Sequence, residues 1–282
     1  MNLSIRHKME REYLNLVQRI LATGQTRETR NGKVRSLFGA HISHDLSLGF
    51  PLLTTKKMFW RGIAEELAWF LRGSTNVQEL RDKKVHIWDG NSEDRDYDAG
   101  PVYGFQWRHF GAEYTNCHAD YSGKGIDQIS KILELLRTNP TSRRMVLSAW
   151  CPTQQDQMCL PPCHVMYQFY VQNNRLSCMM TQRSADVFLG LPFNIASTSL
   201  LVHLMACVSG LDPGHVHINV GDAHIYEDHI DVCKQQILRT PTALPKLLIA
   251  QVPDEELREF QPSQVRIANY ICAPPLKAKM IA

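Results

Sequence analysis

The chain has 282 residues, of which 44% are hydrophobic and 21% charged, and its formal net charge is +3. This composition is typical of a globular protein that buries a large core without disulfides or metal. The Lys and Arg residues form no basic run with interleaved aromatics, so we expect no nucleic-acid partner. The most apolar stretch, residues 196–211, contains Ser197, Ser199 and His203 and is too short to span a bilayer. It predicts a buried helix and no membrane association.

Eight cysteines are scattered through the chain at irregular spacings. The N-terminal residues are charged and contain no apolar segment of the kind that begins a secretory signal. We therefore expect reduced thiols and a cytoplasmic location.

In the first half of the chain, residues 7–22 carry apolar side chains at helical spacing and predict a helix. Residues 23–35 are rich in Arg, Thr and Gly and predict a loop, and residues 36–46 predict a strand. A helix over residues 63–72 should end at Gly73. Residues 86–100 predict a polar loop. A helix over residues 127–137 should stop near Asn139 and Pro140.

The second half is rich in predicted strands. They cover residues 145–150, 165–171, 176–182 and 215–220, and a helix is predicted over residues 194–210. The segment from Pro253 onward is polar. This order predicts an α/β chain with one main sheet. No linker composition interrupts it, so we expect one domain over residues 1–282.

Cys163 is the sharpest chemical feature, because it directly follows Pro161 and Pro162. The two prolines restrict the backbone, and a basic neighbour could lower the pKa of the thiol and make it a nucleophile. The alternative is a buried structural cysteine. Cys159, Cys163 and His164 also have a spacing that could bind zinc, but no second Cys/His cluster accompanies them, so we expect no metal.

Two loops carry residues suited to binding a phosphate. One holds Arg143 and Arg144, and the other holds Gln182, Arg183, Ser184 and Asp186. Guanidinium groups bind phosphate in a bidentate manner, although adjacent arginines are more often a solvated surface. Because Arg183 follows an apolar strand, its charge should need a partner, which a ligand phosphate could provide.

Two further segments place polar side chains near predicted element ends. Gly190 and Pro192 predict a turn, after which Asn194 should open a helix, where Asn is a common N-cap. His224 and Tyr226 alternate onto one face of an extended segment. Alone, Asn194 and His224 each favour a structural role.

Taken together, these four segments resemble the thymidylate synthase family. So do residues 50–76, 87–91, 100–114 and 276–282, and the resemblance runs from about residue 10 to the C-terminus. It implies an α/β (α+β) fold, a single domain with a large mixed β-sheet flanked by helices. It also implies a homodimer in which the sheets of two subunits pack face to face.

The resemblance assigns roles to individual residues. The implied catalytic residues are Cys163, Glu66, Asn194, Tyr103, His164 and Asp186. The implied nucleotide-binding residues are Arg30, Arg143, Arg144, Gln182, Arg183, Ser184, Asn194, His224 and Tyr226, with Arg143 and Arg144 donated across the dimer interface. The implied folate-binding residues are Ile87, Trp88, Asn91, Asp186, Leu189, Gly190, Phe193 and the C-terminal Ala282.

The reaction implied by the resemblance is the reductive methylation of dUMP to dTMP. Cys163 adds to C6 of the uracil, and 5,10-methylenetetrahydrofolate, the cosubstrate, supplies a carbon and a hydride and leaves as dihydrofolate. Neither a metal, a nucleic acid nor a membrane is implied. The alternative is a deoxynucleotide hydroxymethylase of the same fold, which adds water in place of hydride and releases tetrahydrofolate. A catalytically inactive homologue is disfavoured because Cys163 and its partners are present.

Three positions depart from the family pattern. The phosphate loop is one residue short, so Arg30 is matched to the loop arginine with Arg27 and Arg35 as rivals. Thr181 and Thr198 each stand where the family commonly has a tyrosine. Both changes remove a ring near the site or the dimer interface, and a smaller side chain could admit water.

Overall fold

The computed structural model describes residues 8–281. Six strands form its main sheet: β1 (Gln25–Thr29), β2 (Gly32–Asp45), β3 (Val146–Ser148), β4 (His164–Gln172), β5 (Arg175–Asp186) and β6 (Asp212–Tyr226). Their order across the sheet is β1-β2-β6-β5-β4-β3. All neighbours are antiparallel except β5 and β6, which run parallel. Two more strands, β7 (Lys246–Ile249) and β8 (Val265–Ala268), form a separate antiparallel pair.

The described helices differ widely in length. They are α1 (Lys8–Thr23), α2 (Trp60–Arg72), α3 (Gln78–Asp82), α4 (Asp89–Ser92), α5 (Tyr103–His109), α6 (Gln128–Thr138), α7 (Gly190–Val208) and α8 (Ile230–Ile237). Short 3₁₀ helices lie at Leu46–Leu48, Glu93–Arg95, Pro152–Gln157, Glu227–His229 and Pro262–Gln264. With the mixed sheet, these elements give the α/β architecture that the sequence predicted.

Helix α7 crosses from the end of β5 to the start of β6 and packs on both strands. It is long and apolar enough to span a membrane by length and composition, but 72% of its most apolar window is buried inside the protein. A helix that is apolar on all sides is stable in water only when it is enclosed in a core. The apolar helix is thus longer than the sequence predicted, and it is a core helix.

The strand directions bring four chain segments together at one end of the sheet, where strands β5 and β6 finish. Because β5 and β6 are parallel, their last residues are neighbours, with Asp186 opposite His224. The antiparallel pairing of β2 with β6 places Val34 opposite Tyr226, so the β1–β2 turn lies at the same end of the sheet. Strand β4 begins there as well.

The opposite side of the sheet from α7 carries exposed apolar side chains. Val146, Tyr170 and Met179 alternate with buried neighbours on β3, β4 and β5, and they are 37%, 57% and 42% exposed. We call this surface the open face. Exposed large apolar side chains in one surface region are typical of an interaction surface.

Several predicted elements are confirmed. Helices α1, α2 and α6 lie where the apolar periodicity placed them, and Gly73 ends α2 in the left-handed conformation, with φ of 78°. Asp127 caps α6 by accepting a hydrogen bond from the Ser130 N–H.

Other predictions were wrong in type or extent. Residues 23–35 form strand β1 and the start of β2, joined by a tight turn at Arg30 and Asn31, and do not form a loop. Residues 86–100 contain short helical turns, β3 is shorter than predicted, and β4, β5 and β6 are longer. Helix α7 starts at Gly190, so Asn194 lies inside it and is not its N-cap. The polar C-terminal segment contains strand β8.

Candidate active site

A cavity of about 330 Å³ opens at the end of the sheet where the four segments meet. It brings together most of the residues that the sequence singled out. Its lining comprises Arg30, Asn31, Glu66, Phe70, Trp88, Asn91, Tyr103, Leu160, Cys163, His164, Gln182, Arg183, Ser184, Ala185, Asp186, Gly190, Asn194, His224, Tyr226 and Ile281. A concave pocket with a few converging polar groups is the usual form of a small-molecule site.

Cys163 lies just before β4 and is held on two sides. Its backbone N–H donates to the Tyr103 hydroxyl at 2.6 Å, and its carbonyl accepts from the Arg183 N–H at 2.9 Å. The Arg183 guanidinium donates to the carbonyls of Pro161 and Pro162 at 2.8 and 3.0 Å. The loop that carries the thiol is therefore fixed to β5 and to α5.

Burial raises the pKa of the Cys163 thiol, although the Arg183 guanidinium and the Tyr103 hydroxyl act in the opposite direction. The expectation that basic neighbours lower this pKa below its usual value is therefore wrong. Arg183 is itself exposed, and the carbonyls of Pro161 and Pro162 accept from its guanidinium, so its charge has protein partners as well as any that a ligand phosphate could provide.

Glu66 projects from α2 into the cavity. Burial raises the pKa of this carboxyl group to about 7, and the indole N–H of Trp88, which donates to Glu66 Oε1 at 2.8 Å, partly offsets the rise. A carboxyl group with a pKa near neutrality can both accept and release a proton at physiological pH.

Asn194 presents its amide to the cavity from the second turn of α7. Its Oδ1 accepts from Gln182 Nε2 at 2.9 Å, and the same Nε2 also donates to the Ser184 carbonyl at 2.9 Å. The Gln182 amide cannot flip without losing both bonds. It therefore fixes Asn194 with Oδ1 toward Gln182, leaving the Asn194 NH₂ group to donate elsewhere.

His164 is a neutral imidazole in the wall of the cavity. Burial lowers its pKa to about 4, and the nearby Asn194 side chain only partly opposes this. Its ring lies 5.1 Å from the ring of Tyr103, measured between centroids.

Basic and polar side chains line the end of the cavity near the β1–β2 turn. Arg30 stands at the tip of this turn and lines both the main cavity and an adjoining one of about 170 Å³. The rival arginines are engaged elsewhere: Arg27 donates to Asp222 at 2.8 Å, and Arg35 donates to the Leu21 carbonyl at 2.8 Å. The shortened loop is thus a tight hairpin turn that still carries an arginine into the site.

His224 and Tyr226 lie on β6 at the same end of the cavity. Their rings pack edge to face at 5.2 Å, and His224 Nδ1 lies 3.3 Å from Asp222 Oδ1. The predicted alternation of these two side chains onto one face is confirmed. Asp222, whose Oδ2 accepts from Arg27, thus lies beside the His224 imidazole.

The residues assigned to folate binding divide into two groups. Trp88, Asn91, Asp186 and Gly190 line the cavity, whereas Ile87, Leu189 and Phe193 are half-buried and pack against the core beside it. Ala282 lies outside the described residues, and Ile281 before it reaches the cavity.

Arg143 and Arg144 do not line this cavity. They are exposed in the turn before the edge strand β3, next to the open face, and neither forms a salt bridge within residues 8–281. Thr181 lies on the open-face side of β5, and Thr198 is 1% exposed within α7. Neither threonine is among the residues that line the cavity.

Five residues of the lining were not predicted from the sequence: Asn31, Phe70, Leu160, Ala185 and Ile281. Two of these had a detectable signal, because Asn31 adjoins Arg30 and Phe70 follows Glu66 by four residues on one helix face. Among the described residues, no group of three or more His, Cys, Asp or Glu side chains is arranged to hold a metal ion.

A cysteine fixed at the end of a mixed sheet, with a near-neutral carboxyl group and orienting amides around it, is the arrangement expected of a cysteine-nucleophile site in an α/β protein. Residues 11–282 match the family model described as thymidylate synthase. The chain belongs to the thymidylate synthase family.

Individual relatives agree with this membership. The chain is 45% identical to thymidylate synthase of Homo sapiens, with 96% of the chain and 90% of the relative covered. It is 46% identical to thymidylate synthase of human herpesvirus 8, with 96% and 84% covered. It is 47% identical to the bifunctional dihydrofolate reductase-thymidylate synthase of Leishmania amazonensis, across 98% of the chain. The chain spans 56% of the length of that bifunctional relative.

Proposed function

We propose that the chain is a methyltransferase that converts dUMP to dTMP with 5,10-methylenetetrahydrofolate as cosubstrate. The names of the relatives support this activity. The observation that carries it is one cavity containing the Cys163 thiol, an amide oriented by Gln182 and the carboxyl group of Glu66. Covalent attack, base recognition and proton transfer each have a suitable group there.

The nucleotide would lie with its phosphate near the β1–β2 turn and its base near Asn194. Arg30, Arg183 and Ser184 would bind the phosphate, and His224 and Tyr226 would hold the deoxyribose hydroxyl. The Asn194 NH₂ group would donate to the uracil O4 atom, while Oδ1 keeps a lone pair for the N3–H. This geometry selects uracil because Gln182 fixes the amide orientation.

In the proposed reaction the Cys163 sulfur adds to C6 of the uracil and leaves C5 as an enolate carbon. The thiol is raised in pKa by burial, so it must lose its proton as the nucleotide binds. C5 attacks the methylene carbon of the folate, and loss of the C5 proton with cleavage of the bond between that carbon and the folate nitrogen leaves an exocyclic methylene on the ring. A hydride from the tetrahydrofolate so released reduces this methylene to a methyl group as the Cys163 sulfur leaves C6, which restores the aromatic ring and gives dihydrofolate. Glu66 is placed to exchange protons near the base.

The folate would lie against Trp88, Asn91, Asp186 and Gly190, with the C-terminal segment over it. These residues suit a flat heteroaromatic ring, because Trp88 offers an aromatic face and Gly190 brings no side chain into the cavity. Ile281 from the C-terminal segment already lines the cavity. Closure of this segment would exclude water from the reacting carbon.

We further propose that two copies of the chain associate through the open face. Val146, Tyr170 and Met179 would then be buried against their counterparts in the partner. Arg143 and Arg144, beside this face and without salt bridges in the described part of the chain, would reach the phosphate in the partner's cavity. The eight cysteines are all free thiols, which favours a reducing, cytoplasmic location. The proposed reaction requires neither nucleic acid nor a membrane.

Product analysis tests the proposed activity directly. The purified chain is incubated with dUMP and 5,10-methylenetetrahydrofolate, the nucleotide is separated by chromatography, and dihydrofolate is followed by its ultraviolet absorbance. We expect dTMP and dihydrofolate in equal amounts. Formation of 5-hydroxymethyl-dUMP without dihydrofolate would instead identify a hydroxymethylase.

A further inference from the structure

A β-bulge places Tyr167 on the same side of the sheet as His164. Residues three apart on a regular strand point to opposite faces. The β4–β5 pairing shifts register between His164 and Met166, and both His164 and Tyr167 are buried as a result. One extra residue at a bulge re-aims the side chains that follow it.

The two buried side chains are hydrogen-bonded. The Tyr167 hydroxyl lies 3.1 Å from His164 Nδ1. Its ring packs edge to face on the rings of His164 and Trp107, at 6.2 and 5.5 Å between centroids. The phenol is therefore rigid, and its hydroxyl cannot swing away from the imidazole.

Thr198 lies next to the same hydroxyl. Burial raises the pKa of Tyr167, and the Thr198 side chain acts against this rise, as expected for a donor beside the phenol oxygen. Thr198 is 1% exposed, and its Oγ1 atom has no well-formed hydrogen bond within the described part of the protein.

We propose that Tyr167 is a positioning residue for the reaction at Cys163, which donates its hydroxyl hydrogen to His164 Nδ1 and thereby keeps the proton of the imidazole on Nε2. This inference rests on the proposed function. A neutral imidazole has one donor and one acceptor nitrogen, and the bond made by one nitrogen sets the role of the other. With Nδ1 accepting from Tyr167, Nε2–H becomes a donor available to Asn194 or to the substrate.

The test replaces Tyr167 with Phe, which keeps the ring and removes the hydroxyl. Correlation of ¹H and ¹⁵N in histidine-labelled protein reports the tautomer of His164, and His164→Gln assigns its signals. We expect the Nε2–H tautomer in the unaltered chain and a mixture of tautomers in Tyr167→Phe. We also expect kcat to fall about tenfold while KM for dUMP stays within about twofold.

Tyr13→Phe is the matched control, because it also removes a buried hydroxyl, which donates to Gln236 outside the cavity. It should lower the Tm comparably and leave kcat and the His164 tautomer unchanged. An unchanged tautomer in Tyr167→Phe overturns the proposal, whatever happens to kcat. The tautomer is measured without turnover, so an unaltered chain that fails to convert dUMP would contradict the proposed function and leave this readout intact.

Discussion

At the scale of single residues, Cys163 shows burial prevailing over a neighbouring charge. The Arg183 guanidinium donates hydrogen bonds to the carbonyls of Pro161 and Pro162. It therefore orders the loop that carries Cys163 more than it stabilises a thiolate. The thiol must therefore lose its proton as the nucleotide binds. The side chain at position 163 must therefore be acidic enough to ionise although it is buried.

Cys163→Ser should abolish turnover and leave nucleotide binding nearly unchanged. A serine hydroxyl is far less acidic than a thiol and does not form the C6 adduct at neutral pH. Turnover is measured as dihydrofolate release, and dUMP binding by calorimetry. Activity above about one thousandth of the unaltered rate would show that the nucleophile is another residue.

Trp88→Phe should move the pH dependence of kcat to higher pH. Burial raises the pKa of Glu66 to about 7, and the Trp88 indole N–H counteracts that rise. Removing the donor leaves only burial, so the pKa of Glu66 rises further. Trp60→Phe, which alters an indole packed on Phe50, is the control. If both variants keep the pH profile of the unaltered chain, Glu66 does not set that profile.

Asn194→Asp should weaken turnover of dUMP and shift preference toward dCMP. Gln182 still donates to one carboxylate oxygen, but the group that faced O4 changes from donor to acceptor. An unsatisfied buried group costs about 1–3 kcal/mol, enough to change the relative kcat/KM by tenfold or more. Equal ratios of kcat/KM for the two nucleotides in both proteins would remove Asn194 from base recognition.

At the scale of secondary structure, the sequence predicted the helices and strands in which buried and exposed side chains alternate at a regular spacing. Helix α2 has an apolar face and a glycine that ends it, and both signals are local. Strand β1 is exposed at every position, so it shows no alternation, and its polar residues resembled a loop. Helix α7 is apolar all round, so its start could not be found from periodicity.

The site was predicted better than the elements that carry it. Motif resemblance identified Cys163, Glu66 and Asn194, which all reach the cavity. The hydrogen bonds that orient them depend on long-range geometry, and the bulge between His164 and Met166 has no signature in the residues themselves. The pKa of Cys163 was misjudged for the same reason, because its burial is set by elements distant in sequence.

The C-terminal segment is attached to the site through His229. This buried imidazole lies 3.7 Å from Asp186 Oδ2 through Nδ1 and 2.8 Å from the Lys279 carbonyl through Nε2. Burial lowers the pKa of His229, but the Asp186 carboxylate, the Lys279 carbonyl and the Asp228 carboxylate together outweigh burial and raise it overall. A raised pKa stabilises the attached form fully below the ordinary histidine pKa and loses that contribution as pH rises through the raised value.

His229→Gln should therefore remove a pH dependence from the attachment of the C-terminal segment. Release of C-terminal residues by carboxypeptidase should be slower at pH 6 than at pH 8.5 in the unaltered chain, after correction with a free peptide. The variant should release them at similar corrected rates at both values. A persistent pH effect in the variant would assign the linkage to another group.

At the scale of the whole molecule, the open face and the exposed Arg143 and Arg144 predict an active site that needs two chains. Arg144→Ala and Cys163→Ser should each be nearly inactive alone. In a mixture, heterodimers contain one site with both an intact Cys163 and an intact Arg144, so up to about a quarter of full activity should return. The control mixes Arg144→Ala with the double variant Cys163→Ser/Arg144→Ala, because their heterodimers contain no site with both groups intact and no activity should return. Absence of rescue despite subunit exchange would contradict a shared site.

Helix α7 also has a consequence for the order in which the protein is made. An apolar segment of membrane-spanning length is a hazard for a growing chain until something covers it. The strand that precedes it, β5, is already synthesised, and the other covering strand, β6, ends 18 residues after Val208. At about 5–20 residues per second the ribosome completes β6 about 1–4 s after the helix. The two strands that shield α7 in the finished sheet thus adjoin it in the chain, which keeps its exposure during synthesis brief.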